Sequence, residues 1–408
     1  MQVVVVGGGA AGYFTAITAA EADPTAQVVI LEQSKRVLHK VSISGGGRCN
    51  VTHDCLDPKQ LVNFYPRGYK ELIGPFHRWQ PADTIAWFEE RGVQLKVEAD
   101  GRMFPVTDDS QTIVDCLTGA ARAAGVATRL QCGLVAVRRL ESGFQLALSD
   151  GKSLQADKLV LAAGGTRAGK VVQLAESLGH QPVPPVPSLF SLRTRDPRLA
   201  DLAGVSQEKV TVAYQGPREC FTQSGPLLIT HEGFSGPAVL KLSAWAAREF
   251  AAVDYTTDIQ IDWTAGTSDS ELQDRFQQQR QAQGKRQVKN TPLCGSSQRL
   301  WERLVEAAGI PADRKWLEMK KAEQASLMSQ LLSATFHIRG KSLNKDEFVT
   351  CGGIPTQEVD FRTMESKCCP GLYFAGEILN IDGVTGGFNF QAAWTTGHLA
   401  GSAVIKSS

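Results

Sequence analysis

The sequence predicts an α/β chain built on a parallel sheet and interrupted by an insertion of different character. Three observations carry this. Residues 2–31 read strand, glycine turn, helix, strand. Apolar runs ending in glycine recur at residues 159–165 and again at 371–377, so the opening pattern returns near the other end of the chain. Between them, Pro182, Pro184, Pro185 and Pro187 precede a stretch that is first strand-rich and then polar and helical in period.

Taken in order, residues 2–6 form a β-branched run with no polar interruption, as in a strand buried on both faces. Residues 10–22 have helix-forming composition and residues 28–31 form a second apolar run, completing a βαβ unit. Residues 81–91 read as a helix closed by Gly92, and residues 93–106 as a hairpin turning at Asp100 and Gly101. Ser110 is placed as the N-cap of a helix running to Ala124 and ended by Gly125. Alternating stretches at 134–137 and 144–148 and the buried run 159–163 suit a small antiparallel layer returning to the parallel sheet. The prolines cannot continue a helix or a central strand, which sets a boundary near Ser188. The expected division is therefore 1–188 for the first part of the main domain, 189–263 for a β-rich insert, 264–338 for a helical insert and 339–408 for the second part. Strand-like sequence resumes at 348–350. No repeat is found.

Composition narrows the function. Lys and Arg number 43 against 42 Asp and Glu, a net charge of +1, so no basic field steers the chain to nucleic acid or an anionic membrane and a small-molecule partner is expected. Residues 3–20 are apolar but broken by glycines and lack a basic leader, and are read as neither signal peptide nor span. The 9 cysteines include no C-x-x-C pair, which points to reduced thiols and a cytoplasmic setting. No Cys/His spacing resembles a zinc site, so no metal is expected. Oligomeric state is not legible.

Gly7, Gly9 and Gly12 satisfy G-x-G-x-x-G directly after a strand, with Ala10 and Ala11 opening the helix. In such a Rossmann-type turn the first glycine allows the tight bend, the second lets backbone approach a pyrophosphate, and the third lets helix and strand pack closely. The helix N-terminus presents free N–H groups to the phosphates. Glu32 follows Gly12 by twenty residues, where a carboxylate accepts from ribose hydroxyls and would repel a 2′-phosphate. The motif alone leaves FAD and NAD open. Ala163, Gly164 and Gly165 close a second nucleotide-contacting strand, and Gly376 and Glu377 end a third of the kind that holds a ribityl chain. That distant third element is needed by FAD, the longer ligand. Leu134 and Val135 are counted with the cofactor contacts.

The segments at 44–52, 101–105, 231–237, 349–354 and 376–391, taken together, resemble the BaiN-like (YhiN-like) family of FAD-dependent oxidoreductases, also described as the aminoacetone oxidase family of FAD-binding enzymes. The resemblance implies an FAD domain split by an insert with a β-barrel-like and a helical part. It also implies that the 44–50 loop, with Ser44, Gly45, Gly46, Gly47, Arg48 and Asn50, and the 382–391 loop, with Asp382, Gly387, Phe388, Asn389 and Gln391, wrap the flavin. One departure is Asn380, where many relatives carry Asp.

Read on their own, the three loop glycines permit backbone approach to a ring or phosphate, and Arg48 suits a pyrophosphate. The plainer reading is a surface loop. Lys40 joins the cofactor set, with a solvated strand end as its alternative. Cys49 and Cys55 are separated by five residues, not the four of disulfide-reductase flavoproteins, so Cys49 is placed beside the flavin. His231 and Ser235 precede Pro237, which fits a helix start; with Cys49 they are the catalytic candidates, set against a structural role. His39, His53, His77, His180, His337 and His398 have weaker claims, and Trp245, Trp301 and Trp316 are read as packing.

The expected activity is NAD(P)H-driven reduction, through FAD, of a small enone or carbonyl-type substrate, with NAD(P)H a transient co-substrate. Two rivals stand beside it. One is an amine or aminoketone oxidase. The other is a flavin-containing RNA-binding or regulatory protein, which would call for a basic stripe; Lys285, Arg286, Lys289, Lys320 and Lys321 form only small clusters among acids.

Overall fold

Val3, Val4 and Val5 are wholly buried, since beyond Gln2 the strand Gln2–Val6 offers only valine side chains to either face of its sheet. Each such side chain contributes about 1.5–3 kcal/mol on burial. The computed structural model describes residues 1–165, 169–342 and 349–406. The chain divides into two units, Met1–Pro187 with Val349–Ser408, and Ser188–Phe348.

In the first unit a seven-stranded sheet runs Val359–Asp360, Glu365–Ser366, Leu372–Phe374, Lys158–Leu161, Gln2–Val6, Gln27–Leu31, Ala127–Arg129. The last five strands are parallel, with Val4 opposite both Leu159 and Val29. Strands from both ends of the chain thus lie side by side, as the recurring glycine-ended runs predicted. The opening helix Ala10–Ala22 packs on the closing helix Phe388–Val404, their backbones meeting at glycine.

Several sequence expectations are corrected. The N-cap of helix Ser110–Ala123 is Asp109, whose side chain accepts from Gln111 N at 2.9 Å. Ser110 instead donates its hydroxyl to Ser42 O at 2.7 Å. The prolines do form a strand, Val183–Ser188, paired with Val349–Gly353 in a sheet of two. A strand with one neighbour has an unpaired edge, where missing N–H groups cost nothing. Of the strand expected at 348–350, Phe348 lies outside the described residues. His39–Gly47 is helical before breaking at Ser44, Gly45 and Gly46, where the sequence reading offered a strand end at Lys40 and a loop from Ser44. Phe388, Asn389 and Gln391, expected in a loop, open the closing helix Phe388–Val404.

In the second unit a six-stranded sheet runs Leu192–Arg193, Gly233–Ser235, Cys220–Ile229, Ser206–Gln215, Thr256–Asp262, Ala334–Arg339, each pair antiparallel. It closes on itself through the Leu192–Lys341 bridge, with Arg193 N donating to Gly340 O at 2.8 Å. The barrel-like part is therefore present. Helices Asp269–Gln283, Gln298–Ala307 and Lys321–Leu332 follow its fifth strand, and the sixth comes after them. Trp263 and Phe336 of the barrel share one core with Trp301 and Trp316, so no break in packing marks residue 264. Trp245 is only half-buried. Among the described residues no helix is long and apolar enough to cross a membrane.

Candidate functional site

In the first unit the residues expected to hold a nucleotide lie at the ends of the central strands. Gly7 turns with φ 114°, and a Cβ at Gly12 would stand 1.9 Å from Gly7 O, so no larger residue fits either role. Gly9 caps the opening helix without a side-chain bond and with no acid in the first turn. A Cβ at Gly9 would meet nothing within 4 Å. Space is thus left beside Gly9 at the helix N-terminus, the end whose free amides suit a pyrophosphate. Glu32 Oε2 accepts from Gly8 N at 2.8 Å, while Oε1 accepts from Ser34 N and Oγ at 2.7 and 2.6 Å. Cys132 N donates to Glu32 O at 2.8 Å, bringing the 132–135 turn alongside; Leu134 is buried there and Val135 exposed.

Ala163, Gly164 and Gly165 end the strand next to Gly7, and a Cβ at Gly165 would clash with Thr350 Oγ1 at 1.9 Å. Glu377 accepts from Thr350 N at 2.8 Å and from Lys40 Nζ at 2.6 Å, so Lys40 is engaged by the third segment. Gly376 meets Ala11 so closely that a Cβ would lie 2.6 Å from Ala11 Cβ. The residues counted toward FAD around Gly7, Glu32, Gly165 and Glu377 therefore converge, and they fit the ligand's phosphate and ribose chemistry.

The two loops behave differently. Gly45, Gly46 and Gly47 all take positive φ, with open space at Gly46 and Gly47. Arg48 donates to Glu98 at 2.6 Å and lies over the Phe104 ring at 4.0 Å, so its charge is answered by carboxylates of the protein. Asn50 donates to Thr52 O at 3.0 Å and accepts from Gly387 N at 2.9 Å. Gln391 accepts from Thr52 Oγ1 at 2.6 Å and donates to Thr395 at 3.1 Å. Asn389 clamps Gly383 from both its amide atoms, at 2.9 and 2.8 Å. Phe388 stacks on both His53 and Phe64, with centroids at 4.6 and 4.2 Å, the three rings forming one cluster. These side chains are engaged within the protein and set the loop's shape. Asp382 is fully buried and gripped from two sides by Arg67, which the sequence reading missed. Their separation of 315 residues leaves no local signal.

Cys49 is wholly buried, and burial pushes its thiol up to about 12. A thiol so held stays protonated, which corrects its place among the catalytic candidates and favours packing. All nine cysteines are free. His180, Glu358 and Cys368 lie close enough to hold a metal. Ser366 Oγ, however, accepts from Cys368 N and Cys369 N, so its proton goes to His180 Nε2 at 2.8 Å. That fixes the Nδ1 proton toward Glu358 at 2.7 Å and makes Nδ1 a donor, not a ligand. In the second unit, His231 and Ser235 border one cavity with Arg193 and Glu232.

Residues 1–403 match the HI0933-like protein Rossmann domain family. The chain belongs to that family. The chain is 31% identical over 403 residues, 96% of this chain and 95% of the other, to the ribosomal RNA dihydrouridine synthase of Escherichia coli (strain K12). It is 28% identical over 411 residues, 99% of each chain, to the 3-dehydro-bile acid delta(4,6)-reductase of Clostridium scindens, which bears out the resemblance read from the motifs. Among solved structures, the 3-ketosteroid-delta4-(5alpha)-dehydrogenase of Rhodococcus jostii RHA1 shares the fold, with TM-score 0.55, 16% identity and coverage of 100% of this chain and 97% of that one. This HI0933-like protein is thus a member of a Rossmann-type, FAD-binding oxidoreductase family.

Proposed function

We propose that the protein uses NAD(P)H to reduce a carbon–carbon double bond conjugated to a carbonyl group. The observation that carries this is the pair of full-length relatives. Dihydrouridine is uridine with its C5=C6 bond reduced, next to the C4 carbonyl, and a 3-dehydro delta(4,6) bile acid carries double bonds conjugated to its 3-ketone. One reaction type covers both names. The acceptor gains a hydride at the carbon β to the carbonyl and a proton at the α carbon, and the nicotinamide is oxidised. FAD, when bound, supplies the hydride chemistry. The protein's part is to hold the pyrophosphate at Gly7–Gly12, the adenosine ribose at Glu32 and the remaining chain near Gly165 and Glu377, and to orient the acceptor. His231 and Ser235 are our candidates for the acceptor side.

The charge balance of the whole chain led to an expectation of no nucleic-acid partner. Two relatives named for ribosomal RNA, at 31% and 27% identity, place uridine in RNA among the acceptors to be tried. Purified enzyme reduced anaerobically with NADPH or NADH is mixed with an unmodified rRNA transcript or with 4-androstene-3,17-dione. Reoxidation with a product carrying two added hydrogens supports the reading. Failure of both nicotinamides to bleach the flavin, with bleaching by an aminoketone and reoxidation by oxygen, replaces it with the oxidase.

A further inference from the structure

The cavity at the seam of the barrel is lined by Ser191, Leu192, Arg193, Thr230, His231, Glu232, Ser235 and Ser342. It forms where the first strand meets the end of the last, held by Arg193 N to Gly340 O at 2.8 Å and Ser342 N to Ser191 O at 2.9 Å. Barrel mouths are frequent ligand sites. Its volume is about 260 Å³.

Its polar groups are specific. Arg193 Nε and Glu232 Oε2 stand 4.0 Å apart, a donor beside an acceptor, both open to solvent at the cavity. A carboxylate or phosphate would gain from the arginine and be repelled by the glutamate, so the pair selects against an anion and for a neutral group that presents acceptor and donor side by side. Ser191 Oγ donates to Ser235 Oγ at 2.7 Å, leaving Ser235 to donate onward. Around the seam Arg195 and Arg339 are exposed, and Lys341 lies over the Tyr255 ring at 3.9 Å. Cations at a rim with a neutral-ligand pocket inside match a base carried on a phosphate backbone, where phosphates position and the base edge specifies.

We propose that this cavity reads the imide edge of a uracil ring in RNA, Glu232 accepting from the ring N–H and Arg193 donating to the adjoining carbonyl, with Arg195, Arg339 and Lys341 on flanking phosphates. The assignment rests on the reductase reading above. Cytosine offers a lone pair where uracil offers N–H, and would face Glu232 with repulsion.

The test is fluorescence anisotropy of the oxidised, FAD-loaded enzyme with labelled single-stranded RNA carrying one uridine among adenosines, against the same strand with cytidine. We expect the uridine strand to bind about tenfold tighter, the scale of one discriminating edge contact. Glu232→Gln should bring the two strands within a few-fold of each other, and Arg193→Ala should weaken the uridine strand, with thermal melting showing that both variants fold. Equal binding of the two strands by the wild type, or an unchanged ratio in Glu232→Gln, overturns the assignment. So does displacement of the RNA by 4-androstene-3,17-dione with loss of steroid binding in Arg193→Ala. If the uridine preference holds while no acceptor reoxidises the reduced enzyme, the cavity assignment stands and the reductase reading falls; reoxidation by the steroid without uridine preference gives the reverse.

Discussion

Glu32 illustrates how a site residue can be occupied and still available. Its oxygens already accept from Gly8 and Ser34, yet a carboxylate offers about four lone-pair positions, enough for ribose hydroxyls as well. Glu32→Ala should therefore weaken FAD binding by about 1–3 kcal/mol, the worth of charge-assisted bonds, read by calorimetric titration of the apoprotein; an unchanged dissociation constant would remove Glu32 from the site. Its candidacy was legible because spacing from Gly12 is a local count. Arg67 was not, since only the folded chain brings it to Asp382. His398 gives a pH prediction. It stacks on Trp79 at 3.9 Å, and burial first, then the charge of Arg78, lowers its pKa from 6.5 to about 4. The unfolded chain takes up the proton more readily than the fold, so this contribution is complete above about pH 6.5 and is lost as pH falls from there toward 4. Melting temperature should drop over that window more steeply in the wild type than in His398→Phe, which keeps the stack without the titration. Parallel pH profiles for the two proteins would show that His398 is not buried neutral.

At the scale of elements, the contact between the opening and closing helices holds the cradle. A Cβ at Gly401 would stand 2.5 Å from Thr15 O and 2.7 Å from Thr18 Cβ. Gly401→Ala sets two effects against each other. Helix propensity favours alanine by about 1 kcal/mol, whereas overpacking a backbone contact costs about 1–3 kcal/mol. The clash is with carbonyl backbone that cannot rotate away, so the cost wins: denaturant melts should show a net loss of about 1–2 kcal/mol, together with weaker FAD retention. A stabilised variant would mean that the helices can part freely. The βαβ unit, the hairpin at 100–101 and the polar helices of the insert were legible because each follows from periodicity and turn chemistry within a short window. The strand Val183–Ser188 was not, because its prolines are tolerated only at an edge, and edge status depends on a partner some 160 residues further along the chain. The helix at 39–47 was hidden by its three terminal glycines.

Across the whole molecule, the main sheet needs both chain ends, and this was visible in the sequence as glycine-ended strands recurring near residue 371. The shared core of barrel and helices was not, because composition changes at residue 264 while burial continues through it. The same whole-chain view yields the last prediction. One G-x-G-x-x-G follows a strand in the 408 residues, at Gly7, and the residues around it suit FAD. With that motif assigned to FAD, the nicotinamide of the proposed reaction is expected to dock transiently at the reacting face. Hydride transfer requires donor and acceptor atoms about 3–3.5 Å apart, so the nicotinamide and the acceptor need the same space in turn. Ping-pong kinetics follow. Anaerobic stopped-flow mixing with NADH or NADPH should bleach the flavin without acceptor present, and initial rates at several fixed acceptor concentrations should give parallel double-reciprocal lines. Intersecting lines would require both ligands to be bound at once, and with them a second nicotinamide site that no motif in the chain provides.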